Sequence, residues 1–287
     1  MSEQITPETA PKFACVQMVS TTSVAQNLIE AAKGIAVAVA QGAQVVVLPE
    51  YFCLMGQNET DKLKVAEDFV GEQVSQATPL QSFLREQAMT HGIYLIGGTI
   101  PLVSPLPNKV YNTLLVYSPT GVIEARYDKI HLFGFQNGQE RYSEGDAICA
   151  GVTNGDNAPA LWHSPWGAIG LSICYDVRFP ELYRAAGSVF AWICVAAFTH
   201  TTGQAHWEIL LRARAIENQC YLVACGQGGL HDNGRRTFGH SMVIDPWGVI
   251  QDLRAEGEGV VVANLLNSRI ERVRASLPAL KHRVLNR

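Results

Sequence analysis

Three residues stand at the ends of β-rich segments and carry side chains able to do covalent chemistry. Glu50 closes VVVLPE, Lys129 follows an extended segment in RYDKIHLF, and Cys174 ends GLSIC just before YDVRFPELYR. In α/β sheets, functional groups collect just beyond the carboxyl ends of strands. A free thiol titrates near ~8.5 and needs a base or a positive neighbour to act as a nucleophile at neutral pH. Glu50 can supply the base and Lys129 the positive field. Taken singly, each residue has an ordinary explanation: a solvated loop or cap glutamate, a surface lysine, a small core cysteine. Cys194, Cys220 and Cys225, inside AWICVAAF and around YLVAC, read as core cysteines of that kind. Spacing alone does not bring Glu50, Lys129 and Cys174 together.

The rest of the chain restricts what such a site can serve. The 287 residues are 47% hydrophobic and 17% charged, with a net charge of -4. That length allows two domains or one large α/β unit. The acidic balance gives no basic surface for nucleic acid or an anionic membrane. Seven cysteines, an odd number without CxxC spacing, support neither a disulfide framework nor a zinc site, and free thiols in a reducing compartment are the simpler account. No basic, apolar secretory leader is visible at the N-terminus, and the longest apolar stretches are about half of a membrane span. The expectation is a cytoplasmic protein that uses no metal and no cofactor. The histidines lack metal-ligand spacing, and no P-loop is present to feed ATP-dependent amide chemistry.

Strand and helix signals alternate without a linker, after a loose tail over residues 1–11. KFACVQM is a first strand. Thr21, Thr22 and Ser23 offer N-caps for a helix with Val24, Leu28, Ala31, Ile35 and Val39 on one face, stopped by Gly42. VVVL at 45–48 suits a strand buried on both faces. Thr78-Pro79 opens a second helix that ends at Gly92. A hairpin follows from YNTLLVY and VIEARY around SPTG, then a loop-rich stretch over 131–160. AIGLSIC, a short helix from Pro180, FAWICVAAF, a helix over 205–218, YLVAC, and two strands around DPWG come next; VVVAN leads to a last Arg-rich helix. Gly226-Gln227-Gly228-Gly229 reads as a turn. The 205–218 helix carries apolar residues most of the way round, wider than a surface helix needs, which fits either burial within the monomer or a second subunit.

The segments VVVLPE, YDKIHLF and ICYDVRFPE, in that order, resemble the nitrilase superfamily of carbon–nitrogen hydrolases, and the likeness runs from about Lys12 to the C-terminus. The resemblance implies one α/β domain over 12–287 with a four-layer α-β-β-α sandwich fold, a catalytic triad of Glu50, Lys129 and Cys174, and subunits paired through helical faces as a homodimer or higher oligomer. AHWEILLRARAIENQCYLVA and RRTFGHSMVIDPWG are similar to the branch of amidases that hydrolyse deaminated glutathione to 2-oxoglutarate and cysteinylglycine. Omega-amidases, true nitrilases and carbamoyl hydrolases share the triad, and a non-catalytic scaffold would be expected to have lost part of it. In LFGFQNGQERYSEGD, Glu144 matches the second glutamate of these enzymes, with Glu140 as the alternative because the segment is about one residue short. Gly134 stands where many relatives have Asp, and Ala150-Gly151 replaces Pro-Gly.

The implied chemistry is acyl transfer through a thioester to water, with a small amide as the substrate. Glu50 moves the protons, and Lys129 with the backbone N–H of Tyr175 holds the oxyanion. Arg178, four residues past the thiol, can grip a substrate carboxylate in bidentate fashion, or form a salt bridge with Glu181 or Asp176. Thr199 and Thr202, after FAWICVAAF, offer hydroxyls to a pocket or to a helix cap.

Overall fold

The computed structural model describes residues 10–71, 73–136, 138, 141–152 and 158–285. All but the last two residues of the N-terminal tail lie outside the described residues, as does Glu140.

The elements are, in order, β1 (Lys12–Gln17), α1 (Val24–Ala40), β2 (Val45–Val47), α2 (Pro79–His91), β3 (Tyr94–Ile96), β4 (Ile100–Val103), β5 (Val110–Tyr117), β6 (Ile123–Asp128), β7 (Gly134–Gln136) and β8 (Arg141–Ser143). They continue with β9 (Leu161–Ser164), β10 (Gly167–Ile173), α3 (Pro180–Ala185), β11 (Ala191–Ala196), α4 (His200–Asn218), β12 (Tyr221–Gly226), β13 (Ser241–Ile244), β14 (Ile250–Arg254), β15 (Gly259–Asn264) and α5 (Asn267–Ser276). One sheet has the order β15-β1-β2-β3-β5-β4, with β6 also paired to β5; the other runs β14-β13-β12-β11-β10-β9. Each has three parallel strands inside antiparallel flanks: β1-β2-β3 in the first and β10-β11-β12 in the second.

The period-2 alternation of β1 separates two cores. Phe13 and Cys15 join the cluster shared with β10, β11 and β12, whereas Ala14 and Val16 join Ala31 and Ile35 of α1 and Leu80 and Leu84 of α2. On the far side, Trp207, Leu211 and Ala215 of α4 and Ile270 of α5 belong to the first cluster. The layers are therefore helix, sheet, sheet, helix, the four-layer α-β-β-α sandwich expected.

Local signals set most boundaries. Ser23 caps α1 by accepting from the Gln26 N–H, and Gly42 follows in a left-handed conformation at φ 82°. Pro79 is the first residue of α2, and Gly92 ends it at φ 61°. Three expectations need correction. Helix α4 starts at His200, five residues earlier than expected, so Thr202 lies in its first turn with Thr199 at the cap position. The stretch 131–160 contains the β7-β8 pair and a 3-10 turn at Glu144–Asp146. Gly226 belongs to β12, and Gln227 after it is fully buried. No helix among the described residues is long and apolar enough to cross a membrane.

Candidate active site

Glu50 sits three residues beyond β2, in the first sheet, yet it reaches the second. Its Oε2 accepts the N–H of Ala197, the residue after β11, at 2.8 Å; Oε1 accepts from Asn112 Nδ2 of β5 and from Lys129 Nζ, both at 2.9 Å. The turn that delivers it is tight. A Cβ on Gly98, at φ 54°, would fall 2.2 Å from the Pro49 carbonyl, so only glycine fits there. Gln227 locks the backbone from the other side: its Nε2 donates to the Glu50 carbonyl at 3.1 Å and to Ser20 Oγ at 2.7 Å.

Lys129 follows β6 directly and is fully buried. Its ammonium donates to Glu50 and to both oxygens of Glu144, at 2.9 and 2.7 Å. Glu144 also accepts from Tyr51 Oη at 2.8 Å and from the Phe133 N–H at 2.7 Å. Burial works to discharge Lys129, but the Glu144 and Glu50 carboxylates outweigh it and hold the ammonium well above its ordinary range. Burial likewise works to protonate Glu144, and Lys129 reverses that, so its carboxyl lies below the ordinary glutamate value. Both stay ionised at neutral pH.

Cys174 follows β10 directly and opens a 3-10 turn, Cys174–Arg178, in a left-handed conformation at φ 50°. A non-glycine residue held there is strained, which occurs at positions that the surroundings over-determine. Asp176 supplies that restraint. Fully buried, it accepts from the Ile173 N–H at 2.8 Å and from Tyr127 Oη at 2.7 Å, and it pairs with His131 Nδ1 at 2.7 Å. Burial, then the Glu50 charge, push the Cys174 thiol well above its ordinary range, against the pull of Lys129. The resting sulfur is therefore a thiol, and a base beside it has a proton to take.

A narrow cleft opens on this cluster, lined by Glu50, Glu144 and Cys174. Tyr175, Phe198, Thr199 and Thr202 form part of its walls. The two threonine hydroxyls lie 2.7 Å apart. Arg178 is half-buried outside the lining, with Nη1 3.2 Å from His206 Nδ1 and the guanidinium packed over the Phe198 and Tyr175 rings. Neither of the salt bridges considered for it, to Glu181 or Asp176, forms. The lining also includes Arg235, which the sequence reading did not single out. Asn112 and Gln227 escaped it as well; a lone asparagine inside YNTLLVY was the only trace of the first. Among the described residues, no group of three or more His, Cys, Asp or Glu side chains is arranged to hold a metal ion.

Two packed sheets flanked by helices hold a buried ammonium behind a cleft lined by a thiol and two carboxylates, an arrangement suited to acyl transfer by a cysteine nucleophile. Residues 12–275 match the carbon-nitrogen hydrolase family. The chain is 42% identical over 276 residues to a deaminated glutathione amidase of Synechocystis, covering 94% of this chain and 97% of that one. It is 35% identical over 279 residues to the human protein of the same name, covering 95% and 82%. Among solved structures it is similar to Saccharomyces cerevisiae Nit3, described as a member of branch 10 of the nitrilase superfamily, with a TM-score of 0.83, 31% identity, and 96% and 97% of the two chains covered. The chain belongs to the carbon–nitrogen hydrolase family.

Proposed function

We propose that the protein is an amidase that hydrolyses deaminated glutathione to 2-oxoglutarate and cysteinylglycine, with residues 12–287 acting as one catalytic unit. The observation that carries this reading is the Glu50–Lys129–Glu144 cluster beside Cys174, in a chain 42% identical to an amidase of that name.

Glu50 takes the thiol proton as Sγ attacks the amide carbonyl carbon, forming the C–S bond. Proton transfer from Cys174 to Glu50 leaves the net charge of the buried cluster unchanged, so no charge is added to a dry site. The carbonyl oxygen becomes an oxyanion held by Lys129 and the Tyr175 N–H. An ammonium has three hydrogens; with one on Glu50 and one shared across the Glu144 carboxylate, the third is available to the oxyanion. Glu50 then protonates the amine nitrogen, the C–N bond breaks, and the thioester remains. Glu50 next takes a proton from water, the hydroxide adds to the thioester, the C–S bond breaks, and the proton returns to sulfur. Aimed donors of this kind are worth about 3 kcal/mol or more in the transition state. Glu144 orients Lys129 and the substrate amide, and Arg178, Thr199 and Thr202 offer polar groups around the mouth.

Seven free, buried cysteines support a reducing, cytoplasmic location. A homodimer through the outer face of α4 is the proposed assembly. Ile209 and Ile216 there are 69% and 46% exposed, and the β13-β14 turn with Trp247, 52% exposed, is tied to the helix by Arg212 Nε donating to the Gly248 carbonyl at 2.9 Å.

Mass spectrometry of the products tests the activity. Cysteinylglycine and 2-oxoglutarate should appear from deaminated glutathione and be absent with Cys174→Ala. Turnover confined to unsubstituted amides, with ammonia released, would instead make the protein an omega-amidase. A Cys174→Ala protein as active as wild type removes the thioester route.

A further inference from the structure

The residues that move protons and hold the oxyanion leave a charge problem for an acidic substrate. Two carboxylates, Glu50 and Glu144, line the cleft, and the Lys129 ammonium beneath them is engaged by both. A substrate carboxylate brought within a few ångströms is repelled by that pair unless another cation faces it. Arg235 lines the same cleft, and its side chain is 16% exposed.

Its position is built from several directions. Nη2 lies 3.4 Å from the Ala197 carbonyl, on the residue whose N–H holds Glu50, and Nη1 lies 3.8 Å from Glu59. The Arg235 backbone N–H donates to Asn233 Oδ1 at 2.9 Å, while Asn233 Nδ2 donates to the Gly56 carbonyl at 2.7 Å. The Arg235 carbonyl accepts the His231 N–H at 2.9 Å, and the buried His231 ring contacts Ser20 and Thr237. The loop is therefore fastened to both sheets, and the guanidinium is presented from a fixed base. A planar fork of N–H donors matches a carboxylate far better than a single ammonium does.

We propose that Arg235 is the specificity-determining residue that binds the carboxylate of the acyl half of the substrate, the half that stays on Cys174 as the thioester. The ligand class is a short ω-amide of a dicarboxylic acid. The walls formed by Phe133, Tyr175 and Phe198 suit its methylenes. Arg178, packed outside the lining, is not the acyl-side contact. The inference rests on the amidase reading for its substrate, but a thiol-directed probe examines it separately.

N-iodoacetylglycine and its neutral amide alkylate a thiol by the same step: the C–S bond forms, the C–I bond breaks, iodide leaves and the thiol proton passes to the base. In the first reagent the carboxylate lies four bonds from the reacting carbon, as it does from the scissile carbonyl carbon of a 2-oxoglutaryl amide. The rate of Cys174 modification, followed by peptide mass spectrometry, should favour the acid over the amide in the wild-type enzyme. Arg235→Gln should lower that ratio by about 10- to 100-fold, the effect of losing a hydrogen-bonded charge partner, and Arg235→Lys by less. A wild-type enzyme without preference, equal slowing of both reagents in Arg235→Gln, or a ratio lost in Arg178→Gln and kept in Arg235→Gln would each overturn the proposal. None of these outcomes depends on deaminated glutathione being the substrate, so failure to hydrolyse it leaves the alkylation result standing.

Discussion

Glu50 Oε2 and the Ala197 N–H, 2.8 Å apart, join the carboxyl ends of two strands in different sheets. The same carboxylate accepts from Asn112 and Lys129, so Ala197, Asn112 and Lys129 all donate to it. A neutral amide in its place would lose the base and would turn its own NH₂ against at least one of them. Glu50→Gln should therefore lower turnover by about 100- to 10,000-fold, the usual contribution of a positioned acid–base group. It should also lower Tm, because a buried donor is left unsatisfied. Steady-state kinetics beside thermal unfolding check both. An active variant would remove Glu50 from the proton path.

Glu144 and Lys129 meet through both carboxylate oxygens, and the pairing lowers the Glu144 carboxyl below its ordinary value near 4.5. A group lowered on folding stabilises the protein above that ordinary value, and the contribution fades as pH falls through the folded one. Wild type should thus exceed Glu144→Gln in stability at neutral pH, and the difference should narrow below about pH 4.5. Denaturant titrations across acidic pH measure it. The variant should also acylate ~100-fold more slowly, since Lys129 loses its orienting partner. Unchanged acylation would leave Glu144 a purely structural residue.

Burial and the Glu50 charge keep Cys174 protonated at rest. Ultraviolet difference spectra of wild type against Cys174→Ala should accordingly show no thiolate from this residue up to about pH 8.5, where an unperturbed thiol is half ionised. A thiolate signal near neutral pH that disappears in Cys174→Ala would mean a preformed ion pair instead of proton transfer to Glu50. Burial also pushes Cys53, Cys194 and Cys220 up to about 12, and subtraction of the Cys174→Ala spectrum cancels what the two proteins share.

Local chemistry is legible in the sequence, and the meeting of distant segments is not. Ser23, Gly42, Pro79 and Gly92 punctuate α1 and α2 through their own backbone preferences, so those helices were visible in the chain. The start of α4 was not, because His-Thr-Thr-Gly is a poor helix opening that tertiary packing sustains: Thr202 and Gly203 are buried, and a Cβ on Gly203 would fall 2.4 Å from Phe238. Strand β4 holds a proline, and β9 is four residues long, too short to alternate clearly. Glu50, Lys129 and Cys174 were nameable from the ends of their strands and the family resemblance. Arg235 stood in the segment RRTFGHSMVIDPWG that carries the branch resemblance, with nothing to mark it as a cleft residue. It reaches the cleft only because the loop containing it is fastened to residues near positions 20 and 56.

Asp176 holds the turn that carries the thiol. It accepts two donors of fixed direction, the Ile173 N–H and Tyr127 Oη, and contacts His131 on its other oxygen. Asp176→Asn offers only one acceptor oxygen to this set. Its expected cost is about 2 kcal/mol, within the range for hydrogen bonds to charged groups. Release of the strained Cys174 backbone should lower kcat more than it raises KM, a pattern that a general loss of stability would not give below the unfolding transition. Equal kcat in the two proteins would mean that the turn holds its shape without the carboxylate.

The outer face of α4 gives the remaining prediction, on assembly. Ile209, Ile216 and Trp247 form an apolar surface beside the helix that packs Trp207 and Leu211 against the second sheet. Exposed large apolar side chains grouped on one face are what an association surface presents. Sedimentation velocity should show a dimer for the wild-type chain and a monomer for Ile209→Glu combined with Trp247→Glu. Both changes lie on exposed side chains, so each subunit should keep its fold, read by circular dichroism. The dimer should also report on the site: Arg214 of the same helix donates to the Val177 carbonyl at 3.0 Å, inside the turn that begins at Cys174. Separation of the subunits should therefore lower turnover while the fold is retained. A variant that stays dimeric would place the subunit contact on another face of the molecule.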